Sequence, residues 1–388
     1  MSKLVLKVCY AEWKNESRDK RELAVCRELG ARVLVMAKGD PINGVKKELV
    51  DGFDALLCSS WPLGEHAPKA INQAISVFRW AGRIKKIQPD LITGHDLPAL
   101  LIAWVSNLWN PQKALLVYDS HEFELGRNVQ RSWFRKKLIR WCEGFLIKRC
   151  ALSIMVNDPI ADAVQKEYRL KNRPLVVRST PNLWAVDQAV CAQRRTELLC
   201  QMKTPKDTVL MYHGALLKDR GIETLLKLIS LNPNVCAVIL GNGRPDYQET
   251  LRRMVQKNHV EDRVLFHPAV PHETLWEYVG AADIGMMPIQ PSSKSYFYSL
   301  PNKFFENIQS ETPMICPNYP AMAPIVDKYR IGLTCDPTDI NAVNECVEKL
   351  RTDKALYQQC KANLQIAKKD LCWENEKHIL MEAYRKLI

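Results

Sequence analysis

The chain has 388 residues, of which 47% are hydrophobic and 25% charged, and its formal net charge is +12. This length and composition suit a globular protein of two domains, and without a run of about 18 uncharged apolar residues no transmembrane helix is expected. The 13 cysteines are scattered and contain no Cys-x-x-Cys pair, which argues against a disulfide framework or zinc knuckle and for a reducing cytosol.

The positive charge is concentrated in the first half. Residues 1–180 hold 30 Lys+Arg and 19 Asp+Glu, whereas the remainder holds 25 and 24. An anionic partner should therefore meet the first half. A membrane surface, a nucleic acid and an acidic glycan all satisfy this condition.

Short apolar runs alternate with helical patterns from the N-terminus onward. The opening MSKLVLKVCYAEW has no small-residue cleavage site and is predicted as a strand rather than a signal peptide. The predicted strands of this half are LVLKVCY, RVLVMA, DALLCS, PDLITGH, ALLVYDS, CALSIMVN and PLVVRS. The helices between them are RDKRELAVCRELG, APKAINQAISVFRWAGRIKKI, LPALLIAWVSNLW and IADAVQKEYRL. This alternation predicts βαβ units and a parallel sheet.

The alternation stops between residues 180 and 206 and then resumes. The later predicted strands are DTVLMYHG, VCAVILG, RVLFHP, ADIGMMP, PMICP and IGLTC, followed by a helical tail. The sequence thus predicts two doubly wound α/β domains in tandem, with ligands at the carboxyl ends of the strands. The predicted boundaries are an N-terminal domain at 1–182, a linker at 183–206, a C-terminal domain at 207–370 and a last helix at 371–388 that crosses back to the N-terminal domain.

The first polar motif of the second half is HGALLKDRGIETLL, residues 213–226. A strand ends before Gly214, and Lys218 and Arg220 lie in the loop that leads to a helix. Backbone N–H groups, the helix dipole and two cations make a candidate diphosphate site. The alternative is a solvated basic loop.

A second motif, ILGNGRPD, places Gly241 and Gly243 at the end of the next strand. Glycines here permit a ligand to approach the backbone closely. They serve equally well in an ordinary strand-to-helix turn, and the third glycine of a dinucleotide fingerprint is absent.

The third motif, SLPNKFFENIQS, begins a helix with Pro301 in its first turn and places Lys303 near the start. A cation there is unfavourable because the helix N-terminus is already the positive end of the dipole. An anion beside Lys303 would remove the conflict, and Glu306 on the same face could hold two ribose hydroxyls. The alternative is an exposed Lys303–Glu306 pair contributing about 0.2–0.5 kcal/mol.

The second half resembles the family 4, group 1 glycosyltransferases of the GT-B fold. The resemblance rests on the three motifs above, on RVLFHPAVPHETLWEYVGAADIGMMP and on the closing WENEKHILMEAYRKL. It implies two Rossmann-like domains facing each other across a cleft. It also implies a nucleotide-sugar donor site in the C-terminal domain.

The resemblance assigns donor-site roles to individual residues. Gly214 would lie against the diphosphate, Arg220 stands where the family usually has a lysine for it, and Glu306 matches the ribose-binding second glutamate of a paired motif. The remaining donor-site candidates are Gly241, Gly243, His267, Ala269, Val270, Asn302 and Lys303, with residues 267–270 at the nucleobase.

This sequence departs from the family at two donor-site positions. Ala215 stands where an arginine is common, a charge that Lys218 could supply. Tyr298 stands where the first glutamate of the paired motif is expected. The second departure leaves open how the hydroxyls of the transferred sugar are held.

Polar residues also follow two strands of the first half. LVYDSHEFELGR contains His121 and Glu122, and TGHDLPA contains His95 and Asp96. In similar proteins such a histidine lies near the transferred sugar, so His121 is the leading catalytic candidate, with Lys218, Arg220 and Lys303. Glu122, His95 and Asp96 are candidate acceptor contacts. The alternative for His121 is a histidine that caps a loop.

The segment at residues 127–150 holds eight Lys+Arg and one acid. Its helical wheel predicts a buried stripe of Phe134, Leu138, Trp141 and Phe145. The opposite face would expose Trp133, Lys136, Lys137 and Arg140. Basic side chains beside an interfacial tryptophan predict contact with an anionic membrane.

The sequence therefore predicts a retaining glycosyltransferase that acts on a lipid-linked or polysaccharide-precursor hydroxyl, for instance in lipopolysaccharide or capsule synthesis. We expect no cofactor and no metal, since no Asp-x-Asp motif occurs. We also expect no nucleic-acid partner, and a cytoplasmic location at the inner face of the membrane. The alternatives are a nucleotide-sugar epimerase and a non-catalytic scaffold subunit of the same fold.

Overall fold

A computed structural model describes residues 2–13, 17–39, 44–64, 66–127 and 132–388. The chain divides into two compact units. Unit 1 comprises Met1–Arg178 and Lys377–Ile388, and unit 2 comprises Ser179–Glu376.

Unit 1 is built on an eight-stranded sheet with strand order β3-β4-β2-β1-β5-β6-β7-β8. All neighbours are parallel except β3 and β4. The strands are Leu4–Glu12 (β1), Arg32–Lys38 (β2), Val45–Val50 (β3), Phe53–Cys58 (β4), Leu91–His95 (β5), Leu115–Ser120 (β6), Leu152–Met155 (β7) and Leu175–Val176 (β8). The sequence missed only β3, because an edge strand exposed along most of its length lacks the apolar run that marks the others.

Helices cover both faces of this sheet, because right-handed βαβ connections change face where the strand order reverses. They are Ser17–Glu28 (α1), Lys69–Ile87 (α2), Asp96–Trp109 (α3), Trp133–Ile147 (α4) and Asp158–Tyr168 (α5). The core between sheet and helices includes Leu6, Val8, Trp80, Ile92 and Ile102, all fully buried.

Unit 2 is built on a six-stranded, fully parallel sheet with strand order β11-β10-β9-β12-β13-β14. The strands are Thr208–His213 (β9), Val235–Leu240 (β10), Val264–His267 (β11), Ile284–Met286 (β12), Met314–Pro317 (β13) and Gly332–Cys335 (β14). All six coincide with predicted strands. The four inner strands β9, β10, β12 and β13 are buried along most of their length, and strands buried on both faces are continuous apolar runs.

The remaining helices begin in the segment predicted as a linker. They are Gln188–Leu199 (α6), Ile222–Leu231 (α7), Pro245–Lys257 (α8), Leu275–Gly280 (α9), Lys294–Phe297 (α10), Asn302–Gln309 (α11), Ala323–Tyr329 (α12), Ile340–Thr352 (α13), Lys354–Asp370 (α14) and Trp373–Arg385 (α15). Residues 183–206 thus contain α6, which packs on α9 through Arg194 and Glu277, whose Nη2 and Oε2 atoms are 2.7 Å apart. Helix α15 begins in unit 2 and ends in unit 1.

Each sheet reverses its strand order at one place, between β1 and β5 in unit 1 and between β9 and β12 in unit 2. Such a switch point opens a crevice at the carboxyl ends of the strands, where ligands of doubly wound sheets bind. The predicted α/β class with doubly wound sheets is confirmed. Within the described ranges, no helix has both the length and the apolarity needed to cross a bilayer.

Candidate functional site

In unit 2, the loops that follow β9 and β10 pack directly on each other. Gly214 has φ +110°, and a Cβ at Gly241 would lie 1.9 Å from the Gly214 carbonyl oxygen. A Cβ at Gly243 would lie 2.5 Å from the carbonyl oxygen of Leu216. Loop packing alone therefore requires glycine at 241 and 243, and their contact with a donor stays a prediction.

Lys303 lies beside these loops, in the first turn of α11. Its side chain is 93% buried, and its Nζ atom has no hydrogen-bond partner among the described residues. The Nζ atom lies 3.7 Å from the centroid of the Tyr212 ring, and its Cε atom would touch a Cβ at Gly214. Burial, with repulsion from Arg220, lowers the pKa of Lys303 to about 7. An anion next to Nζ would offset both penalties.

Arg220 supplies a second cation near the same place, at the end of the loop after β9. Its guanidinium lies 4.9 Å from the centroid of the Tyr296 ring, and its buried Nε has no hydrogen-bond partner in the described part of the chain. Lys218 is exposed in the same loop. The structure therefore brings Gly214, Arg220 and Lys303 together, whereas no hydrogen bond or ion pair within the described ranges fixes the position of Lys218.

Glu306, one turn after Lys303, is held by two histidines. His213 Nε2 donates to Glu306 Oε2 at 3.0 Å, and His272 Nε2 lies 3.7 Å from Oε1. Burial alone would raise the pKa of Glu306, but these imidazoles lower it to about 2. The carboxylate is therefore ionised and can accept hydroxyl hydrogen bonds.

The alternative of an exposed Lys303–Glu306 pair is wrong, since both side chains are buried. Sequence reasoning missed His213 and His272 as partners of Glu306. Only the position of His213, directly before Gly214 at the end of a strand, offered a signal for it. His272 follows a different strand, and nothing local connects it to Glu306.

The predicted nucleobase segment follows β11. The His267 carbonyl accepts from Gly241 N at 2.9 Å, and Ala269 N donates to Asn242 Oδ1 at 3.2 Å. Val270 packs against the core beneath. These bonds fix residues 267–270 to the loop that contains Gly241, at the carboxyl edge of the sheet.

Two other predicted positions lie at the start of α11. Asn302 is its exposed first residue, and Pro301 is the N-cap, so the helix begins one residue later than predicted. Tyr298 follows the short helix α10, where its ring lies 5.4 Å from that of Phe297. No carboxylate is found at or directly beside position 298.

In unit 1, His121 lies just beyond the carboxyl end of β6. Its Nε2 atom is 3.2 Å from Asp119 Oδ2 and 3.5 Å from Asp19 Oδ1. Burial alone would lower the pKa of His121, but the two carboxylates raise it to about 10. His121 is therefore an imidazolium at neutral pH, suited to donating a hydrogen bond rather than accepting a proton.

The two carboxylates belong to a set of buried charges that we call the ion cluster, formed by Lys7, Arg18, Asp19, Glu22 and Asp119. Lys7 Nζ lies 2.8 Å from Asp19 Oδ1 and also contacts Glu22, while Arg18 Nη2 bonds Asp119 Oδ1 at 3.0 Å. Three carboxylates thus face two permanent cations, and His121 supplies the third positive charge. No local sequence pattern indicates this set, because its members come from three separate elements.

The predicted acceptor residues adjoin the cluster. His95 Nδ1 bonds Asp19 Oδ2 at 2.6 Å, and the His95 and His121 ring centroids are 3.9 Å apart. Asp96 Oδ1 accepts from the His121 backbone N–H at 3.1 Å. The exposed Glu122 lies 3.1 Å from Arg127 Nε. The structure thus brings His95, Asp96 and His121 together at the switch point, with Glu122 at the margin.

The predicted burial of helix α4 is wrong. Phe134, Leu138 and Trp141 are 77%, 63% and 67% exposed, and only Phe145 is partly covered, between Trp104 and Trp141. The helix instead docks through Glu143, Leu146 and Ile147.

A buried carboxylate explains this docking. Glu143 accepts from Tyr118 Oη at 2.8 Å and from Tyr168 Oη at 2.6 Å, so it lies in the interior at the position where the wheel predicts a polar face. Trp133, Lys136, Lys137 and Arg140 are exposed as predicted. Residues 128–131 of this basic segment lie outside the described residues.

Two family models match, one to each half of the chain. The model described as Glycosyltransferase Family 4 matches residues 25–180, and the one described as Glycosyl transferases group 1 matches residues 201–366. Between them they account for most of the chain. No curated protein matches it.

Solved structures similar to the chain share its fold over nearly its whole length. A sucrose-phosphate synthase from Thermosynechococcus elongatus is 20% identical with a TM-score of 0.76, and the match covers 99% of each chain. Anabaena HepE in complex with UDP-glucose is 15% identical with a TM-score of 0.73, again covering 99% of each chain. The lipopolysaccharide outer core galactosyltransferase WaaB is 11% identical with a TM-score of 0.68, covering 99% of this chain and 100% of that one.

Proposed function

We propose that this group 1, family 4 glycosyltransferase of the GT-B fold transfers a sugar from a nucleotide-diphosphate sugar to a hydroxyl of a lipid-linked or polysaccharide-precursor acceptor. The observation that carries the proposal is the buried Lys303 beside Gly214 and Arg220, whose Nζ atom has no hydrogen-bond partner among the described residues. Neither the epimerase nor the scaffold alternative is favoured by the comparisons.

The donor diphosphate lies between Lys303, Arg220 and the backbone at Gly214. Glu306, ionised and held by His213, accepts the ribose hydroxyls from the next turn of α11. Residues 267–270 border the nucleobase. The UDP-glucose complex of HepE supports a donor of this class.

Transfer breaks the bond between the sugar C1 and the phosphate oxygen and forms one between C1 and the acceptor oxygen. The acceptor proton moves to the departing phosphate, and front-face attack retains the configuration. Negative charge develops on the leaving diphosphate, so preorganised cations at Lys303 and Arg220 stabilise the transition state more than the ground state. These groups and the absence of an Asp-x-Asp motif support transfer without a metal or other cofactor.

The acceptor side comprises His121, His95, Asp96 and Glu122. Because His121 carries a proton between two carboxylates, it donates hydrogen bonds to the transferred sugar or the acceptor. It does not act as a general base, which is consistent with the phosphate receiving the proton.

The proposal includes a cytoplasmic location at the inner face of the membrane, and helix α4 is the feature that supports it. Helix α4 exposes four large apolar side chains and several basic ones: Trp133, Phe134, Leu138 and Trp141 with Lys136, Lys137 and Arg140. This combination suits insertion at the boundary between headgroups and acyl chains of an anionic bilayer. A lipid-linked acceptor would then be presented close to unit 1.

The test is to incubate the protein with a panel of nucleotide sugars and membrane lipid extract, and to follow release of the nucleoside diphosphate. Acceptor-dependent release is expected. Conversion of one nucleotide sugar into another without acceptor would indicate an epimerase, and binding without either reaction would indicate a scaffold.

The donor site is tested by Lys303→Met, which removes the ammonium but keeps the buried chain. We expect at least about a hundredfold loss of activity, as for loss of a preorganised transition-state contact. Thermal stability should be unchanged or higher, because an unpaired buried charge is costly. Lys349→Met, on the exposed face of α13, is the matched control, and full activity of Lys303→Met would refute the donor site.

A further inference from the structure

Tyr384 is a buried residue near the end of helix α15 whose polar atom meets the ion cluster. Its side chain is fully buried, and its hydroxyl donates to Glu22 Oε1. The same carboxylate accepts from Thr93 Oγ1 at 2.8 Å and contacts Lys7. The C-terminal helix therefore reaches the cluster through one hydroxyl, within unit 1.

From Glu22 the contacts continue to His121 without interruption. Lys7 bonds Asp19 at 2.8 Å and lies 3.8 Å from Asp119. Asp19 and Asp119 are the two carboxylates that face His121 Nε2. Glu22, Lys7, Asp19 and Asp119 are all buried, and solvent screens the charges of buried groups weakly.

We propose that Tyr384 is a positioning residue for His121, acting through Glu22 and the rest of the ion cluster. The Tyr384 hydroxyl, together with Thr93, fixes the orientation of the Glu22 carboxyl group toward Lys7. In that orientation Lys7 is shared among Glu22, Asp19 and Asp119, so the last two carboxylates also depend on the His121 imidazolium. Without that orientation more of the Lys7 charge is available to Asp19 and Asp119, and the positive charge on His121 is stabilised less.

Besides the ion cluster, the ionisable groups near His121 are His95 from β5, which bonds Asp19, and Asp96 at the start of α3. Arg127 lies beside them and pairs with Asp96, Glu122 and Glu124. The substitutions below leave all of these groups in place, so they change only the part of the network that contains Tyr384 and Glu22.

The experiment measures the titration of His121 directly, by NMR of the full chain with isotope-labelled histidine. The His121 signal is identified by its loss in His121→Gln. In Tyr384→Phe we expect the His121 pKa to fall by at least about one unit, which is a tenfold increase in its acid dissociation constant. Tyr168→Phe is the matched control, because it removes a hydroxyl of another buried tyrosine from another buried carboxylate, Glu143, outside the cluster.

Glu22→Gln keeps an acceptor for Tyr384 and removes the charge, so it should lower the His121 pKa as well. Adding Tyr384→Phe to it should change the pKa no further, since residues in one network are not additive. If Tyr384→Phe does not fold, the His121 pKa measured in Glu22→Gln decides whether Glu22 influences His121. An unchanged His121 pKa in the folded variant would overturn the inference.

The catalytic consequence rests on the proposed role of His121, whereas the titration does not. In the transferase assay, the alkaline limb of the kcat profile should move to lower pH in Tyr384→Phe while KM for the nucleotide sugar is unchanged. A shifted titration with an unshifted kcat profile would uphold the network and refute the role of His121 in transfer.

Discussion

At the scale of single residues, the informative feature of this protein is a charge without a partner. A buried lysine normally pairs or loses its proton, and Lys303 has a lowered pKa while the described part of the chain places no hydrogen-bond acceptor beside Nζ. Glu306, in contrast, has two imidazoles near its oxygens. Helix α11 thus carries Glu306, whose charge is balanced by neighbouring imidazoles, and Lys303, whose charge is not balanced in this way. The position of Lys303 indicates where an anion can bind.

This asymmetry predicts proton uptake on donor binding. With its pKa lowered to about 7, Lys303 is largely neutral at pH 8.5 in the free protein, and a diphosphate beside it raises the pKa again. Binding of a nucleotide sugar at pH 8.5 should therefore take up about one proton, and affinity should fall as the pH rises above 7. Little uptake is expected at pH 6, where Lys303 is already charged.

Calorimetry in buffers of different ionisation enthalpy measures this uptake. A nucleotide sugar is the appropriate probe because its diphosphate has no ionisation of its own in this range. Lys303→Met should bind weakly and without proton uptake. Uptake that is equal at pH 6 and pH 8.5 would contradict the assignment of Lys303 to the diphosphate.

At the scale of elements, helix α4 shows how periodicity can identify an amphipathic helix and still misplace it. Its apolar stripe is real, but the residues that dock on unit 1 are Glu143, Leu146 and Ile147 in the last turns. The stripe of Phe134, Leu138 and Trp141 is left exposed. Apolar side chains of this size, exposed next to cations, indicate a partner surface.

Vesicle binding tests this surface. Replacing Phe134, Leu138 and Trp141 together with serine should abolish cosedimentation with anionic vesicles, because the inserted apolar area is lost. Phe78→Ser on α2, which removes an exposed aromatic of 57% exposure elsewhere in unit 1, is the matched control and should bind normally.

The contribution of the basic side chains of α4 to vesicle binding can be measured separately from that of its apolar side chains. Lys136→Glu with Lys137→Glu should weaken binding to anionic vesicles, since each basic residue near such a surface contributes about 1 kcal/mol. Binding of the unmodified protein to neutral vesicles should be weak. Equal binding of the serine variant and the unmodified protein would refute α4 as the membrane contact.

At the scale of the whole molecule, the last twelve residues belong to the unit in which the chain began. Leu380 and Tyr384 are buried in unit 1, and Lys3 Nζ bonds the Leu387 carbonyl at 2.7 Å. The C-terminus of the chain is therefore part of the N-terminal fold.

Removing Lys377–Ile388 should destabilise unit 1 selectively. Loss of two buried side chains costs at least about 3 kcal/mol, whereas unit 2 keeps its complete core. Calorimetric unfolding should show an early transition for unit 1, with nucleotide-sugar binding by unit 2 retained. Lys377→Ala, which breaks only a partly exposed pair with Glu28, should change stability by less than about 1 kcal/mol, and equal effects of the two changes would contradict this account.

The sequence by itself determined the elements and their class. Strands such as VCAVILG are apolar throughout because parallel strands are buried on both faces, so local composition suffices to find them. The edge strand Val45–Val50 has no such signature and was missed. Lys303 and Glu306 can be singled out from the sequence because a lysine in a first helical turn is repelled by the positive end of the helix dipole. That repulsion depends only on neighbouring residues of the same helix.

Only the tertiary structure decided which side chains share a site. His272 approaches Glu306 from another element, and the ion cluster joins Lys7, Asp19 and Asp119 from three. It also decided which face of α4 is covered, because a buried carboxylate with two tyrosine donors outweighs an apolar stripe. Periodicity records which residues lie together on a helix, whereas burial depends on what the rest of the chain places against them.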